Sequence, residues 1–248
     1  TSTFYPDAHP ESTSVDGYIG QSGSSNWATM HDASAGSSSA DDGGGLYLAY
    51  QWRTVQGDYH LYRLPILFDT SAIPDTDTIS AATFSIYYMS GTNNVDSESL
   101  SLVASTPASN TGIVNDDFDQ FGTTKFATDI TFATISAAQY YDFALNASGL
   151  AAVSKTGVSK FGLRTADDIA NTAPTGLNQR NFYDAEDATR DPKLVVEHAS
   201  AETTTSTTTT TSSSTTTTTT SSSTTTSSST TTTTSSSTTT TTTSSSTT

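Results

Sequence analysis

Of the 248 residues, the last 46, Thr203 to Thr248, are nothing but Thr and Ser, so every charged side chain and every large apolar one lies in the first 202. Twenty-five acids against nine bases leave a net charge of −16, which repels phosphate backbones and anionic headgroups and excludes nucleic acid as a partner. The absence of Cys removes disulfides, thiolate metal sites and thiol nucleophiles together.

The apolar side chains make the first part of the chain able to bury a core, whereas the tail has nothing apolar large enough to offset the entropy of ordering it. The sequence therefore divides into a β-sandwich domain over 1–199 and a Thr/Ser-rich stalk over 200–248. No stretch approaches the roughly 20 apolar residues of a membrane span, so membrane insertion is not expected. A start at Thr1, without an initiating Met, is what processing of an exported chain leaves. The expected location is extracellular, at the cell surface.

Periodicity is of the β kind. Leu46–Tyr50, Tyr59–Leu64, Thr83–Tyr87, Leu100–Val103, Tyr141–Leu145, Phe161–Arg164 and Leu194–Val196 are short, and most alternate apolar with polar residues, as half-buried strands do. Turn residues punctuate them at Gly43-Gly-Gly45, Gly57-Asp58, Pro74-Asp75, Gly91–Asn94, Asn115–Asp117 and Pro174–Gly176. The segment from Gly20 to Gly45 reads as a long polar loop. Ala147 to Lys155, with Leu150 and Val153 three apart and Gly157 beyond, predicts a single short helix closed by a glycine cap. Many short strands with one short helix predict an all-β, jelly-roll β-sandwich.

Several of these pieces occur in a recognisable order. A strand ends in Phe68-Asp69, a turn follows around Ile73-Pro74, and another strand opens at Ile79 and Ala82. Val15–Ile19 supplies a first strand, Leu145–Arg164 a helix followed by a Gly-Leu-Arg strand, and Asn181–Tyr183 with Asp191–Glu197 a closing pair. From about Thr3 to His198 the chain thus resembles the DNRLRE-type domains, jelly-roll modules related to carbohydrate-binding modules and found on extracellular microbial proteins. The resemblance implies a jelly-roll fold and a carbohydrate-binding or structural surface role; it carries no catalytic signature.

No catalytic frame is present around His9, His31, His60 or His198, and no enzymatic activity is expected. His60 shares a strand face with Tyr62 and Leu64. For metal, Asp116, Asp117 and Asp119 beside Asn115 concentrate hard oxygen ligands of the kind calcium takes, with Asp167-Asp168 and Asp184, Glu186 and Asp187 as further loop acids; otherwise these are solvated turn residues. A calcium ion here is expected to be structural, and no other cofactor is expected. For carbohydrate binding, Trp27 and Trp52 are the two tryptophans: Trp27 either stacks on sugar or pins its loop to the sandwich, and Trp52 either stacks or joins the core.

The tail is the most distinctive segment. Uninterrupted hydroxyls are acceptors for O-linked glycans, as in mucin-like stalks, with Thr203, Thr204, Thr205, Ser206, Thr207, Ser212, Thr215, Ser221, Thr224, Ser227, Thr230, Ser235, Thr238 and Ser244 as representative positions. Fully extended, it would reach on the order of 150 Å. One N-linked sequon begins at Asn146. The expectation is a non-enzymatic structural protein, a glycosylated subunit of a surface filament or sheath whose sandwich packs against copies of itself. The alternative is a carbohydrate-binding module on a stalk, with a polysaccharide as partner.

Overall fold

The computed structural model describes residues 1–93 and 98–200. They form twelve strands: β1 (Ser2–Phe4), β2 (Tyr18–Ser24), β3 (Ser38–Ala40), β4 (Leu46–Arg53), β5 (Asp58–Asp69), β6 (Asp77–Asn93), β7 (Ser99–Ala104), β8 (Ile130–Thr131), β9 (Tyr140–Ala144), β10 (Val158–Thr165), β11 (Leu177–Phe182) and β12 (Lys193–Ser200). Three short helices accompany them, α1 (Trp27–His31), α2 (Ala147–Ala151) and α3 (Ala166–Ile169). The fold is all-β. Every strand pairing is antiparallel, and the main path runs β1-β12-β6-β11-β4-β5-β10-β7-β8.

The sheet curls on itself because its two longest strands change partners along their length. The first half of β5 pairs with β2 and β4, the second half with β10; β6 pairs with β12 near its start and with β11 near its end. Curling brings strands that are not neighbours face to face. Phe84 of β6 lies 5.9 Å from Phe68 of β5 and 6.2 Å from Phe161 of β10, ring centre to ring centre. Around them Leu46, Leu48, Leu64, Ile66, Leu102, Phe143, Phe182 and Leu194 close a core that excludes water. A smaller cluster of Val15, Ile19, Tyr50, Leu61, Leu67, Ile113 and Phe118 lies apart from it.

Each strand expected from alternation is a strand here, most of them longer than the run that announced them, whereas β9 stops at Ala144, one residue short of Leu145. Two local expectations are corrected. Gly20 to Gly45 is not a loop: β2 continues to Ser24, Asn26 caps α1 by accepting the Thr29 N–H, and β3 pairs back onto β2. The helix from Ala147 ends at Ala151 and not at Gly157: Ala152 is its C-cap, and its N–H bonds back to Gly149 O in a tighter last turn. The two closing strands, β11 and β12, flank β6 on its two sides.

Candidate functional site

Strand alternation sorts the side chains of β4. Leu46 and Leu48 enter the core, whereas Tyr47, Gln51 and Arg53 point the other way. The register of β4 on β5 sets Gln51 opposite His60 and Ala49 opposite Tyr62, and β2 on β5 sets Gly20 opposite Tyr62. Tyr18, Tyr47, Gln51, Arg53, His60 and Tyr62, with Gly44 and Gly45 at the rim, therefore line one groove of about 400 Å³. The rings of Tyr47 and Tyr62 meet edge to face at 4.8 Å, and Tyr18 lies 5.8 Å from Tyr62. Gly20 makes this possible: a Cβ there would stand 2.1 Å from the Tyr62 ring.

The polar groups of the groove are held in place by their neighbours. Tyr47 Oη and Gln51 Nε2 both donate to Gln179 Oε1, at 3.0 and 3.1 Å. Arg53 grips Asp58 with two bonds, Nε to Oδ1 at 2.9 Å and Nη2 to Oδ2 at 2.6 Å. His60 shares the face with Tyr62, as the sequence indicates, and its Nε2 lies 3.6 Å from Asp58 Oδ2 without a hydrogen bond. Burial, helped by the Arg53 charge, lowers the imidazole pKa, and burial raises that of the Tyr47 phenol, so both are neutral at neutral pH. The groove thus offers flat aromatic surfaces and fixed neutral and cationic hydrogen-bonding groups.

The two tryptophans lie on the other side of β4. Trp27, on α1, donates its Nε1–H to Asn171 Oδ1 at 2.8 Å and sets its ring edgewise to Tyr50 and Tyr59, at 5.7 and 5.5 Å. Its contacts are those of an anchor that pins α1 to the sheet. Trp52 lies within β4, half-buried, 4.5 Å from Tyr59. Neither lines the tyrosine groove.

Across the Gly43–Gly45 turn from the groove lies an acidic corner. All three glycines have positive φ, between 88 and 105°, a conformation other residues rarely hold. The turn leaves a cavity of about 10 Å³, enough for one water-sized particle, lined by Asp16, Asp41, Asp184 and Glu186. Asp184 accepts the Gly45 N–H, Asp16 the Ala185 N–H and Glu186 the His9 N–H. Burial, reinforced by Glu186 and Asp184, pushes the Asp16 carboxyl well above its usual range, and burial raises Glu186 in turn.

The other carboxylates expected to bind metal do not converge. Both oxygens of the buried Asp117 are committed to backbone, to Ala108 N at 2.8 Å and Val114 N at 3.0 Å, while Asp116 and Asp119 are exposed. Asp168 is buried between Arg63 and Arg164, and Asp187 pairs with Arg190. Asn146, start of the sequon, is exposed but uses both ends of its amide: Oδ1 caps α2 at Gly149 N, and Nδ2 donates to Lys125 O. The stalk positions Thr203 to Thr248 lie outside the described residues.

A Ser-His-Asp chain also occurs, which sequence spacing could not show. Ser2 Oγ lies 2.9 Å from His198 Nε2, and His198 Nδ1 lies 2.7 Å from Asp77 Oδ2. Ser200 Oγ donates to the other Asp77 oxygen at 3.3 Å. These residues stitch β1, β12 and β6 together at one edge of the sheet, a structural use that accounts for every bond. Among the described residues no helix is long and apolar enough to cross a membrane. Compared with known proteins, the chain matches no family model and no curated protein.

Proposed function

We propose that this chain is a non-enzymatic, extracellular carbohydrate-binding protein: a jelly-roll head of the DNRLRE and carbohydrate-binding-module kind, carried on an O-glycosylated Thr/Ser stalk. The observation that carries this reading is the groove of Tyr18, Tyr47 and Tyr62 with Gln51, Arg53 and His60 around it. Sugars present apolar C–H faces that stack on aromatic rings and hydroxyls that pair with amide, guanidinium and imidazole groups. A polysaccharide is the partner, and the groove, not the tryptophans, is its seat.

Retention on insoluble polysaccharides, or retardation in gels containing soluble ones, tests it. Tyr62→Ala is expected to weaken retention at least about tenfold, the effect of losing roughly 1.4 kcal/mol of stacking, with Trp27→Ala leaving it unchanged wherever the protein stays folded. Equal retention of wild type and Tyr62→Ala would sink the assignment.

A second reading, a filament or sheath subunit that packs against copies of itself, draws support from another surface. Tyr87 lies 5.0 Å from Tyr140 and 5.7 Å from Tyr183, with Arg190 over Tyr183 at 3.6 Å and Lys193 over Tyr140 at 3.8 Å. Tyrosine and arginine are enriched where proteins meet. Filaments in negative stain without added sugar would favour this reading over the first.

The stalk is tested by intact mass. The native chain is expected to exceed 25.9 kDa by many hexose units, all recovered in peptides from 203–248 after digestion. An unmodified mass would reduce the segment to a plain linker.

A further inference from the structure

We propose that His9, Glu11 and Asp41 form a binding site for a divalent first-row cation of the zinc or manganese type. One ligand atom from each lies within 4.8 Å of the other two, close enough for all three to reach one ion. They come from two separate segments, the 9–11 stretch and the end of the β3 hairpin, so the site exists only in the folded chain.

Proximity of acids is not in itself a site; the state of Glu11 is the second observation. Its side chain is only 5% exposed, yet Oε1 has no hydrogen-bond partner, while Oε2 lies 3.0 Å from His9 Nδ1. A carboxylate oxygen taken from water without a donor is strongly unfavourable, and a coordinated cation supplies what is missing. The surroundings act the same way. Asp16, Asp184 and Glu186 line the adjoining cavity with Asp41, and among the described residues none of these carboxylates, nor Glu11, forms an ion pair with Lys or Arg. Asp41 is positioned by the Ile113 N–H, which donates to Oδ2 at 2.8 Å. Glu186 positions His9 by accepting its backbone N–H at 3.0 Å.

The donor set selects the ion. An imidazole nitrogen with two carboxylate oxygens suits zinc or manganese, with solvent completing the coordination on the exposed side of His9. Calcium prefers six to eight oxygens and gains nothing from the imidazole. The site does not depend on the carbohydrate reading, since none of its three ligands lines the tyrosine groove.

The test uses the full chain, stripped with chelator and titrated calorimetrically with ZnCl2, MnCl2 and CaCl2, with melting temperature followed in parallel. One equivalent of zinc or manganese is expected to bind and raise the melting temperature, because the ion binds the folded state alone. Glu11→Gln, which keeps the shape but removes the charge, and His9→Ala on the exposed side are each expected to weaken binding by roughly 10–100-fold, at least the loss typical of groups that support metal ligands. Their metal-free melting temperatures are expected to stay at or above wild type, which separates loss of a ligand from loss of fold. No binding, binding undiminished in both variants, or binding of calcium alone that ignores His9→Ala would each overturn the assignment.

Discussion

Asp168→Asn is expected to destabilise the domain by about 3–5 kcal/mol, read as a lowered denaturant midpoint at unchanged slope. Asp168 is fully buried and, among the described residues, is the only carboxylate paired with two buried guanidiniums. Arg63 of β5 donates to both its oxygens, Nε to Oδ2 at 2.9 Å and Nη2 to Oδ1 at 2.8 Å, and Arg164 of β10 adds Nε to Oδ2 at 2.6 Å. The remaining donors reach backbone carbonyls: Arg63 Nη1 bonds Phe118 O, and Arg164 bonds Gly122 O and Asp168 O. The triad thus joins two neighbouring strands to α3 and to the 118–122 segment. An amide keeps the shape but leaves two positive charges in the interior without a counter-charge. The loss should therefore come from uncompensated charge and not from lost volume. Replacing all three residues with apolar ones of similar size is accordingly expected to recover most of the stability. A triple variant as unstable as Asp168→Asn would show that packing around the guanidiniums, and not charge, carries the effect.

This triad also shows what a sequence leaves out. Alternation located seven of the strands, because a half-buried strand must place apolar residues two apart whatever it pairs with, but it missed β2 and β11, which bring Ile19 and Phe182 into the two core clusters. It also set His60 with Tyr62, both of which line the groove. Register is another matter. Nothing local says that Ala49 stands opposite Tyr62 or that Gly20 lies beneath its ring, so the groove, assembled from β2, β4 and β5, was hidden while the two tryptophans stood out. Asp168 read as a loop acid for the same reason: its partners lie on β5, 105 residues away, and at the end of β10. The α1 helix left a faint signal, Asn26 as a cap before five residues, too short for periodicity to register. His9 and Glu11 meet Asp41 only through tertiary structure.

Stability is expected to peak in mild acid, near pH 4–5, instead of at neutrality. Two sets of carboxylates set the limbs. Glu98 is fully buried; burial, with the nearby Asp167 charge, raises its pKa from 4.5 to about 7 despite the Ser99 N–H it accepts. Between those values the folded chain holds a proton that the unfolded chain has released. The contribution is therefore complete below pH 4.5 and is lost as pH rises through 7, a change on the order of 3 kcal/mol. Asp16, raised by burial and by Glu186 and Asp184, works in the same direction. On the other side, burial opposes ionisation of Asp7 and Asp168, but bonds outweigh it. Ser12 and Thr13 hold Asp7 at about 2, and Arg63 and Arg164 hold Asp168 well below its ordinary value. Their contribution is complete above pH 4 and fades as pH falls through the folded values. The self-repulsion of a net −16 charge adds to the neutral limb. Melting temperatures across pH 3–8 in chelator check the whole profile, and Glu98→Gln, which cannot ionise, is expected to flatten the limb between 5 and 7 while leaving the acid limb in place. A maximum at neutral pH, or a Glu98→Gln profile that parallels wild type, would show that Glu98 stays ionised in the fold and that its buried surroundings compensate the charge.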